Sequence, residues 1–243
     1  MIKKRYKPFY KQFLRLRINV QNRVKMFGFK KQKWSQFQRF DERRLKFFKR
    51  FKFKDPFRLF VKKFASRGNS FQKKFRNNLQ ERKIFSLFYG GLKKKYLKTQ
   101  INTAIHSTKS QKKNLKDIRH NVIQHFESRL DVVLYRAGFC LSIKEARKFI
   151  LHRHVLVNKN FVTTSSYILK SNDFIEISES FKSRNIIKKN LLRFYFWPIP
   201  PKHLLINYKT FQILFIYDDS FNFIPTYSHY LSLTSVVSNI KSW

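Results

Sequence analysis

The chain has 243 residues, of which 54 are Lys or Arg and 13 are Asp or Glu, a formal net charge of +41 beside a 42% hydrophobic content. A compact fold with that excess repels itself unless a polyanion neutralises it, so nucleic acid or an anionic membrane surface is the expected partner class. No stretch approaches the ~18 continuous apolar residues of a spanning helix, which excludes membrane insertion.

Cys140 is the only cysteine, so the chain forms no internal disulfide and no zinc site on paired thiolates; no metal or other cofactor is expected. There are 29 Phe but only 5 Gly and 6 Pro. The enriched residues Phe, Lys, Ile and Asn share A/T-rich codons, as expected of an A/T-rich organellar genome, although an A/T-rich nucleus or a free-living bacterium gives the same bias. The basic stretch Met1 to Tyr10 has no apolar core followed by small residues, unlike a secretory signal. A chain made inside the organelle and kept whole is expected.

Along the chain the charge is uneven. Residues 1–70 hold 24 Lys+Arg against 3 acids, and residues 71–125 hold 14 against 2. Residues 126–178 hold 8 against 5, and residues 179–243 hold 8 against 3, as in folded domains. In residues 1–70, Phe alternates with Lys and Arg, as from Phe47 to Lys54, without a clean helical or strand period. This reads as a basic arm that orders on RNA, its rings available for stacking on bases. A helix is expected from about Asn78 to Thr99, weakened or kinked at Gly90-Gly91.

From Phe126 the pattern becomes regular. Phe126, Leu130, Val133, Leu134 and Ala137 share a helical face that Gly138 ends, with Arg129 and Arg136 on one side of the helix. A second helix opens at Ser142-Ile143-Lys144-Glu145, a capping box. Its inward face is Ile143, Ala146, Phe149 and Ile150; Lys144, Arg147, Lys148 and Leu151 lie opposite. After His152, Arg153 and His154 the period becomes two, giving a strand with Val155 and Val157 on one face, a turn at Asn158-Lys159-Asn160 and a return strand from Phe161. A turn at Ser171-Asn172-Asp173 then precedes the strand Phe174-Ile175-Glu176-Ile177.

The run Ser142-x-x-Glu145-Ala146-Arg147-x-x-Ile150, then Val155-x-Val157-Asn158, then Asp173-x-Ile175-Glu176 resembles the S-four RNA-binding domain. Residues 121–139, with Leu79-Gln80-Glu81-Arg82 and Phe88-Tyr89-Gly90-Gly91-Leu92 upstream, resemble the ribosomal small-subunit protein S-four family rather than other users of that domain. The stretch from Pro201 through Thr210, with Ile224-Pro225 beyond it, resembles the carboxy-terminal segment of plant-type mitochondrial members. The departures fall at turns, where Lys159 replaces a usual Gly and Ser171-Asn172 a usual Pro-Gly. Asn158, Asn160 and Asn172 can take left-handed angles there.

The fold class implied is α+β, a helical domain interrupted by a small RNA-binding module of two helices and a twisted sheet, with a basic amino-terminal arm. Its parts are the arm (residues 1–70), the first part of the helical domain (71–125), the module (126–178) and a carboxy-terminal segment (179–243). In that scheme residues 190–243 return to pack on residues 71–125. Arg129, Arg136, Lys144, Arg147, Lys148, His152, Arg153 and His154, with Asn158 and Lys159 at the next turn, are the candidate RNA-binding residues. Arg provides a planar donor fork for phosphate and Lys a point charge. Arg147 and Arg153 sit in the family's RNA-facing pattern.

The resemblance implies a structural, non-enzymatic protein of the small subunit of the mitochondrial ribosome, with a plastid the less favoured compartment. It would bind the five-prime domain of small-subunit ribosomal RNA at a helical junction and act early in assembly. It would lie near the messenger entry side beside proteins of the S-five and S-three families, and would not form homo-oligomers. The enzymatic alternative is an RNA-modifying enzyme of pseudouridine synthase type with an S-four domain, whose catalytic Asp has a setting resembling Arg129-Leu130-Asp131. The third class is a basic protein of the membrane surface.

Overall fold

The computed structural model describes residues 10–20, 26, 28–49, 71–110, 115–192 and 200–216. They divide into two compact units, the first ending at Lys94 and the second beginning at Lys95.

The first unit contains α1 (Tyr10–Leu16), α2 (Gln32–Lys49) and α3 (Phe71–Phe88). The expectation that residues 1–70 lack a helical period is corrected over α1 and α2. Gln, Lys, Arg and Leu between the rings are good helix formers, and Trp34 and Phe37 recur at a three-residue spacing that puts both on one face, where both are buried. The rings meet one another: Phe29 lies 4.9 Å from Trp34 and 5.2 Å from Tyr10, and Trp34 lies 6.3 Å from Phe37. Phe13 and Met26 are also buried. These described rings therefore stabilise a local core through edge and tilted contacts. Residues 50–54 of the Phe-Lys run lie outside the described residues.

Where one helix was expected over residues 78–99, there are two. Gly90 and Gly91 both have positive φ, 77° and 76°. The Gly90 amide donates to Leu87 O and the Gly91 amide to Ser86 O, which closes α3 in a Schellman motif. The chain then starts α4 (Lys94–Ser110).

In the second unit, α5 (Leu115–Glu127), α6 (Leu130–Arg136) and α7 (Ile143–Leu151) precede β1 (Val155–Val157), β2 (Asn160–Phe161) and β3 (Phe174–Ile177). The helix expected to run unbroken from Phe126 is interrupted at Arg129, whose backbone is extended. There residues 128–130 pair in strand fashion with the chain at Ile168: the Leu130 amide donates to Tyr167 O and the Leu169 amide to Ser128 O. These cross-chain bonds take up backbone groups that a helix would otherwise satisfy. Beyond the break, Gly138 with φ 77° ends α6 in a Schellman motif, as expected.

The start of α7 matches the capping box with one difference. The Glu145 amide donates to Ser142 Oγ at 3.2 Å, while the Glu145 carboxylate accepts from the Leu141 amide at 2.8 Å, one residue before the expected partner. Ile143, Ala146, Phe149 and Ile150 are all buried, as their spacing predicts.

The sheet is larger than the sequence suggested. After α8 (Phe181–Leu192), the strands β4 (Leu204–Asn207) and β5 (Gln212–Phe215) join it, giving the antiparallel order β2-β1-β3-β5-β4. Ile175 pairs with Ile213, so the described part of the carboxy-terminal segment completes the module's own sheet. Val155, Val157, Ile175, Ile177, Ile213 and Phe215 form its buried face.

Candidate nucleic-acid interface

The site is organised around a few acids. Arg129 donates Nε and one terminal nitrogen to the two carboxylate oxygens of Asp131, at 3.1 and 3.0 Å, and its other terminal nitrogen to the hydroxyl of Tyr96. Its guanidinium also lies 5.4 Å from the Tyr96 ring centre. Arg147 donates Nε to the same Asp131 at 2.7 Å. Asp131 is fully buried and accepts from two guanidiniums, Arg129 at the start of α6 and Arg147 on α7. Arg136 forms a second buried pair, bidentate with Glu127, with both bonds at 3.0 Å.

These contacts correct part of the expected surface. Arg129 and Arg136 are 3% and 5% exposed, and their forks are held by carboxylates inside the fold. Neither lies on an open helix side. Desolvation is tolerable only because each charge has a counter-charge and good geometry. Asn158 is exposed, but its side-chain amide donates to Asp173 and its oxygen accepts from the Phe174 amide, both at 2.9 Å, so the side chain braces two loops. His154 stacks against Phe149 with centroids 4.8 Å apart, and its Nδ1 meets Ser183 Oγ at 2.8 Å. Burial, then the neighbouring His152, pushes its pKa down.

The remaining candidates belong to α7, the residues just after it and the β1–β2 turn. Lys144 and Arg147 are half-buried on α7, and Lys148, His152, Arg153 and Lys159 are exposed. Lys148 is in the last turn, with His152 and Arg153 immediately beyond, where the helix dipole favours cations. Arg153 has φ 57°, with its amide donating to Ile150 O and the His154 amide to Phe149 O. It therefore fills the left-handed Schellman position that glycine usually takes. Lys159 (φ 67°) and Asn158 (φ 50°) form the two-residue turn between β1 and β2, again with a cation where glycine is favoured. Two long basic side chains held at left-handed positions cost backbone energy and project charge outward, a combination suited to reaching phosphates.

Among the described residues no three His, Cys, Asp or Glu side chains are placed to hold a metal ion. No described helix is long and apolar enough to cross a membrane. Cys140 is buried, and burial, then Glu145, pushes its thiol pKa well up, so it packs as a small hydrophobe. Asp131, Glu127 and Tyr96 carry the structure of the site; the sequence singled out only Asp131, and only as the counterpart of a modifying enzyme's catalytic Asp. In a chain with 13 acids, two beside arginines in the least basic region are the signal that points to them.

The S4 domain family model matches residues 128–175, a stretch from the Arg129 break to β3. The chain is 33% identical to the small ribosomal subunit protein uS4m of Marchantia polymorpha over 155 residues, 62% of this chain and 72% of that protein. It is 37% identical to the small ribosomal subunit protein uS4 of Aquifex aeolicus over 113 residues, 46% of this chain and half of that protein. It is 33% identical to the small ribosomal subunit protein uS4c of the moss Splachnum sphaericum over 142 residues, 58% of this chain and 66% of that protein.

Proposed function

The chain belongs to the uS4 family of small ribosomal subunit proteins, and from that premise we propose that it is a structural, non-enzymatic constituent of the mitochondrial small subunit that binds ribosomal RNA through the cationic edge of α7. The observation that carries the contact assignment is the arrangement of Lys148, His152 and Arg153 at the end of α7, with Lys159 at the next turn, all exposed. Cations fixed on a helix end and a tight turn read the spacing of phosphates in folded RNA, so shape dominates over sequence. The RNA partner is the five-prime domain of the small-subunit ribosomal RNA at a helical junction, with S-five and S-three family proteins as neighbours. The mitochondrial assignment is supported by the likeness to the Marchantia uS4m protein and by the Phe- and Lys-rich composition; a plastid relative, uS4c, is the alternative source.

The modifying-enzyme alternative loses its catalytic residue. Asp131 is fully buried and ion-paired with both Arg129 and Arg147.

Two measurements test the reading. In a sucrose gradient of lysed mitochondria the chain should co-migrate with the small ribosomal subunit; its recovery with membranes or with free protein would overturn the proposal. Lys148→Glu with Arg153→Glu should weaken binding of small-subunit RNA by tenfold or more at moderate salt. Unchanged affinity would remove the α7 edge from the contact surface. Arg147 is left intact because reversing its charge would set a carboxylate against Asp131 and confound binding with folding.

A further inference from the structure

We propose that α8, which lies beyond the matched S4 domain, is a second RNA-backbone-binding element that widens the cationic edge of α7. The inference rests on the rRNA-binding reading above and adds residues that neither the sequence pattern nor the family match assigns.

Two anchors fix α8 beside α7. Near its start, Ser183 Oγ meets Nδ1 of His154, just past the end of α7. Near its end, Asn190 Nδ2 donates to Phe139 O at 3.0 Å and to Glu145 Oε1 at 3.2 Å, at the beginning of α7. Helix α8 therefore runs back along α7. Among the described side chains of α8, Ser183, Ile187 and Asn190 are buried, a stripe at spacings of four and three.

Four of the helix's other nine residues are cationic. Lys182, Arg184, Lys188 and Lys189 are exposed, and the sequence FKSRNIIKKNLL contains no acid. Lys182 and Arg184 occupy the first turn, where the helix dipole favours negative charge, and that turn contains no acid. Arg184 and Lys188 are four apart and repel. Arg184 pairs with Glu179 at 3.8 Å, but the two side chains are 44% and 95% exposed and the pair contributes little. A helix with a narrow buried stripe and uncompensated cations is weak on its own terms. A polyanion lying across α7 and α8 removes the repulsion and uses the charge. From Lys182 to Lys189 the helix rises about 10 Å, enough to follow a phosphate backbone rather than one anion.

The test uses the full chain. Salt dependence of binding to small-subunit ribosomal RNA is measured for the wild type, for Lys188→Gln with Lys189→Gln, and for a control pair, Lys202→Gln with Lys209→Gln, exposed around β4. The α8 pair should flatten the slope of log affinity against log salt by roughly 1.5, about 0.7–0.9 for each lost phosphate contact, and the control should not. An unchanged slope, or an equal change in the control pair, overturns the α8 proposal. A wild type without salt-dependent RNA binding overturns the rRNA reading itself. Co-sedimentation with phosphatidylserine vesicles should be equal for all three proteins; a selective loss by the α8 pair with RNA binding intact would assign the helix to a membrane surface instead. Because Cys140 is buried, Lys189→Cys provides one reactive thiol for a tethered iron chelate. Cleavage of the RNA near that position supports the placement, and a folded, labelled, RNA-bound protein that produces none refutes it.

Discussion

Arg147 on α7 donates through Nε to Oδ2 of Asp131 on α6 at 2.7 Å, the same oxygen that accepts from a terminal nitrogen of Arg129. One buried acid thus ties two helices and orients a guanidinium whose side chain stays 26% exposed. Asp131→Asn should cost about 3–5 kcal/mol, because Arg129 would be left buried beside a neutral amide. Urea denaturation reads this as a lower midpoint at an unchanged slope. A loss below about 1 kcal/mol would mean that the pair does not hold the helices.

Arg136 and Glu127 make the complementary prediction. Arg136→Met alone should destabilise by a similar amount, leaving Glu127 buried without its partner, whereas Arg136→Met combined with Glu127→Leu should recover most of the loss. Additive losses in this double-mutant cycle would contradict a buried pair. The double variant should bind small-subunit RNA with the wild-type salt slope, since Arg136 faces the interior.

Arg153 separates stability from binding. Its left-handed φ of 57° is strained for a side chain, so Arg153→Gly should hold or raise stability by up to about 1 kcal/mol. The same change should weaken RNA binding and flatten the salt slope by about 0.7–0.9. A destabilised variant with unaltered binding would reverse the assignment.

His203 gives a pH dependence. Burial is the main cause that pushes its pKa down to about 4; Arg136 lowers it further and Glu127 opposes them. In the unfolded chain the ring titrates near its ordinary value, about 6.5. Between those values the unfolded state binds more protons, so stability falls as pH drops from about 6.5 towards 4, by up to about 3 kcal/mol. His203→Gln should flatten this part of the curve, measured as the difference in unfolding free energy between pH 7 and pH 5. An equally steep curve would place the acid sensitivity elsewhere, with His125 and His154, also lowered mainly by burial, as the next groups to replace.

The sequence made α7 legible because its signals are local: Ser142 and Glu145 three residues apart, apolar residues at helical spacing, and a period-two switch at Val155. The turns at Asn158 and Asn172 followed from residues that tolerate positive φ, 50° and 67°. What escaped depends on distance along the chain. Periodicity put Arg129 and Arg136 on a helix side but could not pair them with Asp131 and Glu127, so buried charges looked like surface ones. The break at Arg129 depends on strand pairing with Ile168. In the first seventy residues, the high charge hid the helix-forming value of Lys, Arg and Gln, and the rings looked available when Phe29, Trp34 and Phe37 pack together.

The strand order β2-β1-β3-β5-β4 also sets when this protein can finish folding. As the chain emerges during its synthesis, β1, β2 and β3 appear first, while the neighbour of β3 on its other side, β5, follows only after α8 and β4. Until residue 215 has emerged, β3 presents unpaired backbone groups, the kind of edge that recruits other strands. The nascent protein is therefore most prone to aggregate late, after its S4 domain has been made and before its sheet has closed. A polyribosome-bound chaperone, or the RNA itself, would act to greatest effect in that interval.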